Sequence, residues 1–310
     1  MATGPIRETP CPLCGADTAR LVLIQAGYRI VRCPTCTALY LSPMPTPHEL
    51  TAHYQNPDYF AGDATQGYAD YSAMEKALRP FFQRRLHTLV RYLPQRGMLL
   101  DIGCAAGYFL TLARADGWQI AGVELAAAMG QQAAHMLGIP IATHLDELPA
   151  DIPYDAITLW EVIEHLPDPV VQLRRLYARL RPGGVLMLST PNTNHWQAHR
   201  DPQHWQGYRP PSHVMFFTPT TLEDALRRAG FTTIHIQRTA PLPPIPGWLR
   251  PLSAPLEHKL ANGQLAPGLP WQVGLWLWRG VRVGVWGWQR VRQPNDDMYA
   301  TLEALAVKDV

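Results

Sequence analysis

No run of about 18 uninterrupted apolar residues occurs in the chain, which argues against a membrane-spanning helix. The opening stretch, MATGPIRETPCPLCG, also lacks the apolar core that a secretory leader needs, so the cytosol is the expected compartment. Charge is scarce: 17% of residues are charged and the formal net charge is +2, far from the basic footprint of a nucleic-acid binder. Cysteine is rare, with five in 310 residues, and in a reducing compartment these read as thiols, metal ligands or core residues rather than disulfides. Proline is plentiful, at 30 residues, and points to long ordered loops in a chain whose 47% apolar content is that of a globular protein. The length predicts one large domain with a small appendage, or two domains.

Four of the cysteines fall as Cys11, Cys14, Cys33 and Cys36, two CxxC pairs 18 residues apart, a spacing that reads as a zinc ribbon. Each CxxC can turn tightly enough to aim two thiolates at one tetrahedral Zn²⁺, and ARLVLIQAGYRIVR between them reads as a hairpin. A unit of about 40 residues cannot bury enough surface to fold unaided, whereas structural zinc supplies roughly 10–16 kcal/mol in comparable peptides. The ribbon's charge is weakly positive, so it reads as a stapled mini-domain ahead of a nucleic-acid or substrate contact.

Residues 42 to 60 read as a proline-punctuated connector, followed by helical apolar spacing in MEKALRPFFQRRLHTLVRYL. From Gly97 strands and helices alternate. Strands are expected near 98–102, 118–124, 139–143, 154–160, 183–190 and 231–238, with a last one within 297–305. Helices are expected near 106–116, 126–137, 168–181 and 218–229. This pattern predicts an α/β fold with a doubly wound, mainly parallel, seven-stranded sheet that binds ligands at the carboxyl ends of its strands.

MLLDIGCAAGYF gives strand, glycine turn and helix. Ala105 and Tyr108 break the GxGxxG spacing, so a dinucleotide pyrophosphate is a poor guest. Asp101 ends the first strand and Glu124 the second, where an acidic side chain can accept two ribose hydroxyls. LDIGCAAG, GVE, YDAITLWEVIEHL and LRPGGVLMLSTPN stand in the order of the motifs of class I S-adenosylmethionine-dependent methyltransferases, and residues 80 to 240 resemble that family. The resemblance implies that Gly103, Ala105 and Gly107 line the methionine part of S-adenosylmethionine and that Glu124 holds the ribose. It also implies that Asp101 faces the amino group and that Leu145 or Asp146 lies beside the adenine. Tyr108 and Trp160 either face the sulfonium, by cation–π attraction, or pack in the core.

Glu161, Glu164 and His165 are spaced i, i+3, i+4, so a helix beginning after the fourth strand would project all three from one face. With His213 at the end of a long loop over 190–219, this pattern resembles the divalent-metal site of small-RNA 3′-terminal 2′-O-methyltransferases and is similar to the ubiquinone-biosynthesis O-methyltransferases. The likeness implies a second divalent cation on Glu161, Glu164, His165 and His213, acting as Lewis acid and template. The alternative is His165 as general base or hydrogen-bond partner of the acceptor. His195, His199 and His204 with Trp196 and Trp205 read either as acceptor lining or as a loop closing the cleft.

Residues 241 to 292 hold six of the ten tryptophans and carry +5, leaving −3 for the rest of the chain. Eight prolines over 241–270 rule out a long helix there, and glycines after Trp271 weaken one beyond it. Trp with Arg suits a peripheral membrane contact or a lipid-linked substrate, and a lid packed by its tryptophans is the alternative. The expected organisation is therefore ribbon 1–45, connector and helices 46–96, cofactor-binding core 97–240, insertion 241–292, and final strand and tail 293–310. The expected activity is methyl transfer to an oxygen, ahead of carbon or nitrogen, of a metabolite, sugar or lipid-linked acceptor. The likeness to zinc-bearing sugar methyltransferases implies a glycan or natural-product acceptor. The rivals are an RNA methyltransferase gripping nucleic acid through the ribbon, and a non-catalytic adaptor that only binds cofactor.

Overall fold

The computed structural model describes residues 8–55, 75–241, 280–281, 283–288, 291–292 and 295–310. Strands β1 (Arg20–Gln25), β2 (Tyr28–Arg32) and β3 (Leu39–Leu41) form the ribbon, followed by helix α1 (Pro47–Gln55) and helix α2 (Glu75–Tyr92). The alternating core runs β4 (Met98–Ile102), α3 (Tyr108–Ala115), β5 (Gln119–Val123), α4 (Ala127–Leu137), β6 (Tyr154–Trp160), α5 (Pro169–Arg179) and β7 (Leu180–Pro191). It closes with α6 (Trp196–Arg200), β8 (Met215–Phe216), α7 (Pro219–Ala229), β9 (Thr233–Pro241) and β10 (Tyr299–Val307).

The main sheet has six strands in the order β5-β4-β6-β7-β10-β9. The first four are mutually parallel, while β10 runs antiparallel between β7 and β9. The expected seventh strand over 139–143 shrinks to a single parallel bridge between Val123 and Ala142. Pro140 lacks the N–H a ladder needs, which limits pairing there.

β4 and β6 are almost wholly buried, as parallel strands covered on both faces must be. One buried cluster gathers α2, α3 and α4 on one face of the sheet through Phe82, Leu89, Phe109 and Ala133. The other joins α5 and α7 to the ribbon, since Leu173, Leu222 and Ile157 belong to the same cluster as Cys11, Ile30 and Tyr40. The local signals are explicit. α7 opens with a reciprocal Thr218–Thr221 capping box and Pro219, and ends at Gly230 in the left-handed region.

The ribbon differs from a mini-domain merely resting on its neighbour. Its sheet has the order β1-β2-β3-β8, and the fourth strand is Met215–Phe216 from the loop after β7. The stretch expected as a connector also contains a helix, α1, whose start is a second reciprocal cap. The Glu49 carboxylate accepts from the Thr46 N–H at 2.7 Å, and the Thr46 hydroxyl accepts from the Glu49 N–H at 3.2 Å.

Most of the insertion, residues 242–279 with four of its tryptophans, lies outside the described residues, and with it most of the lid-or-membrane expectation. Residues 280–281, 283–288 and 291–292 are helical despite Gly280, Gly284 and Gly287. The Arg292 guanidinium lies 4.7 Å over the Trp288 ring, one turn away, and helps hold that helix. Among the described residues, no helix is long and apolar enough to cross a membrane.

Candidate active site

The cleft at the carboxyl ends of β4, β5, β6 and β7 begins with a backbone turn containing three left-handed residues, Gly103 (φ 69°), Ala105 (φ 46°) and Gly107 (φ 82°). The Gly103 and Cys104 N–H groups both donate to the Val123 carbonyl, at 2.8 and 3.1 Å, which clamps the turn to β5. Glycine is needed at 103 for a further reason: a Cβ there would sit 2.6 Å from Val162 Cγ2. At Gly107 a Cβ would meet Leu137 Cδ1 at 2.9 Å, so this glycine lets α4 approach as well as starting α3. Ala105 takes the left-handed conformation although it is not glycine, and its amide is spent on an acid. Its N–H donates to Glu124 Oε2 at 2.8 Å, and the Ala126 N–H donates to Oε1 at 2.8 Å.

Glu124 is thus buried and fixed by two amides, with lone pairs left on both oxygens. Burial raises its pKa, and the amides of Ala126 and Ala105 oppose that. Asp101, also buried, accepts from the Thr158 hydroxyl at 2.6 Å. Burial pushes its pKa up to about 7 against that hydrogen bond.

On the other side of the cleft the expected helical face does not form. Glu161 is left-handed (φ 55°), its N–H donating to the Ser189 carbonyl at 3.1 Å, and only a single 3-10 turn, Ile163–His165, follows. A left-handed residue directly after the strand breaks the helical spacing. Glu164, His165 and His213 nonetheless converge, with ligand-type atoms all within 4.8 Å of one another, and Glu161 falls outside that close set.

The electrostatics of the three are distinctive. Glu164 is 1% exposed and neither carboxylate oxygen has a hydrogen-bond partner. Burial, and then the charge of Glu161, hold its pKa well above the ordinary value. His165 Nδ1 lies 2.7 Å from the Ser212 carbonyl, and His213 Nδ1 lies 2.9 Å from the Gly207 carbonyl. Carbonyls only accept, so each Nδ1 carries the proton and each Nε2 presents a lone pair. Burial pushes His165 down to about 4 and His213 well below its ordinary value, which leaves both imidazoles neutral near pH 7. Their rings meet edge to face at 4.9 Å.

The four ribbon sulfurs also converge, Cys11 to Cys36 at 3.4 Å and Cys14 to Cys33 at 3.5 Å, which fits a tetrahedral zinc. The two CxxC turns repeat one geometry. Gly15 N–H bonds the Cys11 carbonyl and Thr37 N–H bonds the Cys33 carbonyl, with both residues left-handed at φ 76° and 63°. Thr37 is exposed and bears a β-branched side chain in a conformation that suits glycine. Thr37→Gly is therefore expected to stabilise the metal-loaded protein by about 0.5–1 kcal/mol in urea titrations.

A family model described as Methyltransferase domain matches residues 74–236, just over half of the chain. The chain belongs to that methyltransferase family. The ubiquinone biosynthesis O-methyltransferase of Xanthomonas campestris pv. campestris (strain B100) is 29% identical over 161 residues, covering 49% of this chain and 67% of that relative. Among solved structures, Haemonchus contortus phosphoethanolamine N-methyltransferase 2 in complex with S-adenosyl-L-methionine is similar at TM-score 0.56 and 17% identity, over 88% of this chain and 62% of that one. Burkholderia thailandensis 1,6-didemethyltoxoflavin-N1-methyltransferase, with bound 1,6-didemethyltoxoflavin and S-adenosylhomocysteine, is similar at TM-score 0.53 and 18% identity, over 94% of this chain and 100% of that one. At such identities the two structures establish the shared fold.

In this S-adenosylmethionine-dependent methyltransferase, several of the expected site residues are packed or paired with neighbours. Trp160 is 9% exposed, with the Arg85 guanidinium 4.5 Å over its ring and Phe109 at its edge at 5.2 Å, so one face is already occupied. Tyr108 is buried in the same cluster. Leu145 is half-buried against the core, whereas Asp146 is exposed and ion-paired with Arg175. The loop histidines do not gather into one pocket: His195 is buried and stacked with Trp205, while His204 is exposed and paired with Asp201 at 2.7 Å.

The sequence reading missed other residues that shape the methyltransferase cleft. Arg85 on α2 is buried and donates to Glu303 Oε1 at 2.9 Å. Arg84 and Gln237 also donate to that carboxylate. The Arg85 charge lowers the pKa of both Asp101 and Glu161, in each case against a larger burial effect. Glu303→Ala leaves a buried guanidinium without its counter-ion, and is expected to lower stability by about 3–5 kcal/mol in denaturant titrations. Tyr54 on α1 places its hydroxyl 2.8 Å from His165 Nδ1 and 2.9 Å from the Ser212 carbonyl. A cleft of ≈ 650 Å³ opens between the ribbon's hairpin turn and α1, bounded by Tyr28, Arg29, Met44, His53 and Pro211.

Proposed function

We propose that this enzyme moves the sulfonium methyl of S-adenosylmethionine to an oxygen of a small metabolite, sugar or lipid-linked acceptor. The observation that carries the acceptor side is the Glu164 carboxylate, buried with neither oxygen hydrogen-bonded, beside two neutral imidazoles whose Nδ1 protons are already committed. A buried carboxylate without a partner is costly. One carboxylate and two imidazole nitrogens suit Mg²⁺, Mn²⁺ or Zn²⁺, which Glu164, His165 and His213 would hold with Glu161 adjoining. Such a cation supplies a Lewis acid and a template for the acceptor oxygen. With a pKa of about 4, His165 is a weak base near neutral pH, which favours a ligand role over general-base catalysis.

On the cofactor side Glu124 takes the ribose hydroxyls on its remaining lone pairs, and Asp101 faces the amino group. The 103–107 turn lines the methionine part. Leu145 rather than Asp146 lies beside the adenine, since Asp146 is engaged by Arg175. In the ribbon, Cys11, Cys14, Cys33 and Cys36 hold one structural zinc. The name of the Xanthomonas relative supports oxygen as the acceptor atom. Exposed Val283, Trp288 and Val291 support contact of the 241–292 segment with a lipid-linked acceptor or a membrane surface.

Titration of the zinc-loaded chain with Mn²⁺, followed by electron paramagnetic resonance of the free ion, tests the cation assignment. One equivalent should bind, more tightly as pH rises, because the Glu164 carboxyl, whose pKa is raised, must lose its proton while both imidazoles are already neutral. Absence of binding to wild type, or affinity that does not change with pH, would overturn it. RNA binding that weakens steeply with salt would instead favour the RNA reading.

A further inference from the structure

The matched family residues, 74–236, exclude the ribbon and α1, yet these two elements reach the acceptor-side group through specific hydrogen bonds. The second CxxC turn runs directly into β3, with the Cys33 N–H donating to the Ala38 carbonyl at 2.9 Å. β3 then pairs with β8, Leu39 opposite Phe216 and Tyr40 opposite Met215. One residue further, the Leu41 N–H donates to the Val214 carbonyl at 3.0 Å, and the Val214 N–H donates to the Glu164 carbonyl at 2.9 Å. Val214 is therefore gripped from both sides, by the ribbon and by the turn bearing Glu164, and His213 is its immediate neighbour.

Helix α1 makes a parallel connection. Tyr54 bonds the Ser212 carbonyl that orients His165, and His53 Nε2 lies 2.8 Å from the Ser212 hydroxyl. By contrast, the bonds that shape the cofactor cradle run among residues 101–158: Gly103 and Cys104 to Val123, Ala105 and Ala126 to Glu124, and Thr158 to Asp101.

We propose that the ribbon and α1 are positioning elements for Glu164, His165 and His213, so that metal occupancy of the four-cysteine centre governs the acceptor side of the cleft and leaves the cofactor side intact. The roles of these three residues rest on the function proposed above. The coupling between ribbon and cleft does not require a second cation. A ribbon too small to fold alone loses β3 when its thiolates lose their metal. The Leu41–Val214–Glu164 chain of hydrogen bonds then loses one end.

Hydrogen–deuterium exchange on the full-length, zinc-loaded protein before and after chelation tests this, with Cys33→Ser as a second route to the metal-free state. Peptides covering 161–166 and 209–217 should exchange at least about tenfold faster without zinc, while those covering 99–126 keep their protection. S-adenosylhomocysteine affinity measured by calorimetry should stay within about threefold. Tyr54→Phe, with zinc retained, should accelerate exchange in 209–217 alone. Two outcomes would overturn the proposal: unfolding confined to residues 8–41 with 161–166 and 209–217 still protected, or loss of protection over 99–126 together with them. A wild-type protein that binds no Mn²⁺ would remove the cation assignment and leave these exchange results standing.

Discussion

Glu164→Ala is expected to lower methyl transfer by about 10³-fold or more, a barrier increase near 4 kcal/mol, while S-adenosylmethionine affinity stays within about threefold. His165→Ala and His213→Ala should behave alike. The asymmetry follows from placement. The cradle bonds around Glu124 do not involve Glu164. If the three act as one unit, the double variant Glu164→Ala/His213→Ala should be little worse than either single one. Unchanged turnover in the single variants, measured with any acceptor the wild type methylates, would refute the assignment.

Glu124→Ala should have the opposite signature, weakening the cofactor by about 30- to 1,000-fold, or 2–4 kcal/mol. Two effects add. The ribose hydroxyls lose their acceptor, and the amides of Ala105 and Ala126 lose the carboxylate that spans them. Ala105 already sits in a left-handed conformation that alanine adopts at a cost, so the turn depends on that anchor more than an all-glycine turn would. Calorimetry with S-adenosylhomocysteine measures the loss directly. An affinity within severalfold of wild type would place the ribose elsewhere.

The glycine turn and the acid it anchors were legible in the sequence because their geometry is local. A strand, a turn with Gly103 and Gly107, and an acid ending the next strand are read along one continuous stretch, and the backbone bonds that unite them join neighbouring strands. The four ribbon cysteines were legible for the same reason, as two copies of one short turn. On the other side of the cleft, three of the four expected residues converge, on a local structure other than the expected one. The i, i+3, i+4 spacing suits a helix, but Glu161 turns left-handed and the group assembles through His213, about 50 residues downstream.

What the sequence hid was the long-range partner of each element. Nothing in MFF announces that Met215 and Phe216 pair with β3, because a two-residue strand has no periodicity to detect. Helix α1 did carry a signal, Thr46-Pro47-His48-Glu49, a capping box with proline in the first turn, which the surrounding prolines masked. Arg85 looked like one of several arginines on an amphipathic helix. Its burial is set by Glu303, more than 200 residues away on the last strand.

The most direct test is a crystal structure of the zinc-loaded protein with S-adenosylhomocysteine and Mn²⁺, using anomalous scattering to locate the metals. The predicted map shows zinc among the four cysteine sulfurs, the ribose on Glu124, and a manganese peak bounded by Glu164, His165 and His213 on the side of the cleft that the cofactor sulfur faces. A nucleoside bound on Glu124 with no manganese beside those three residues, or manganese bound away from the cofactor sulfur, would contradict it.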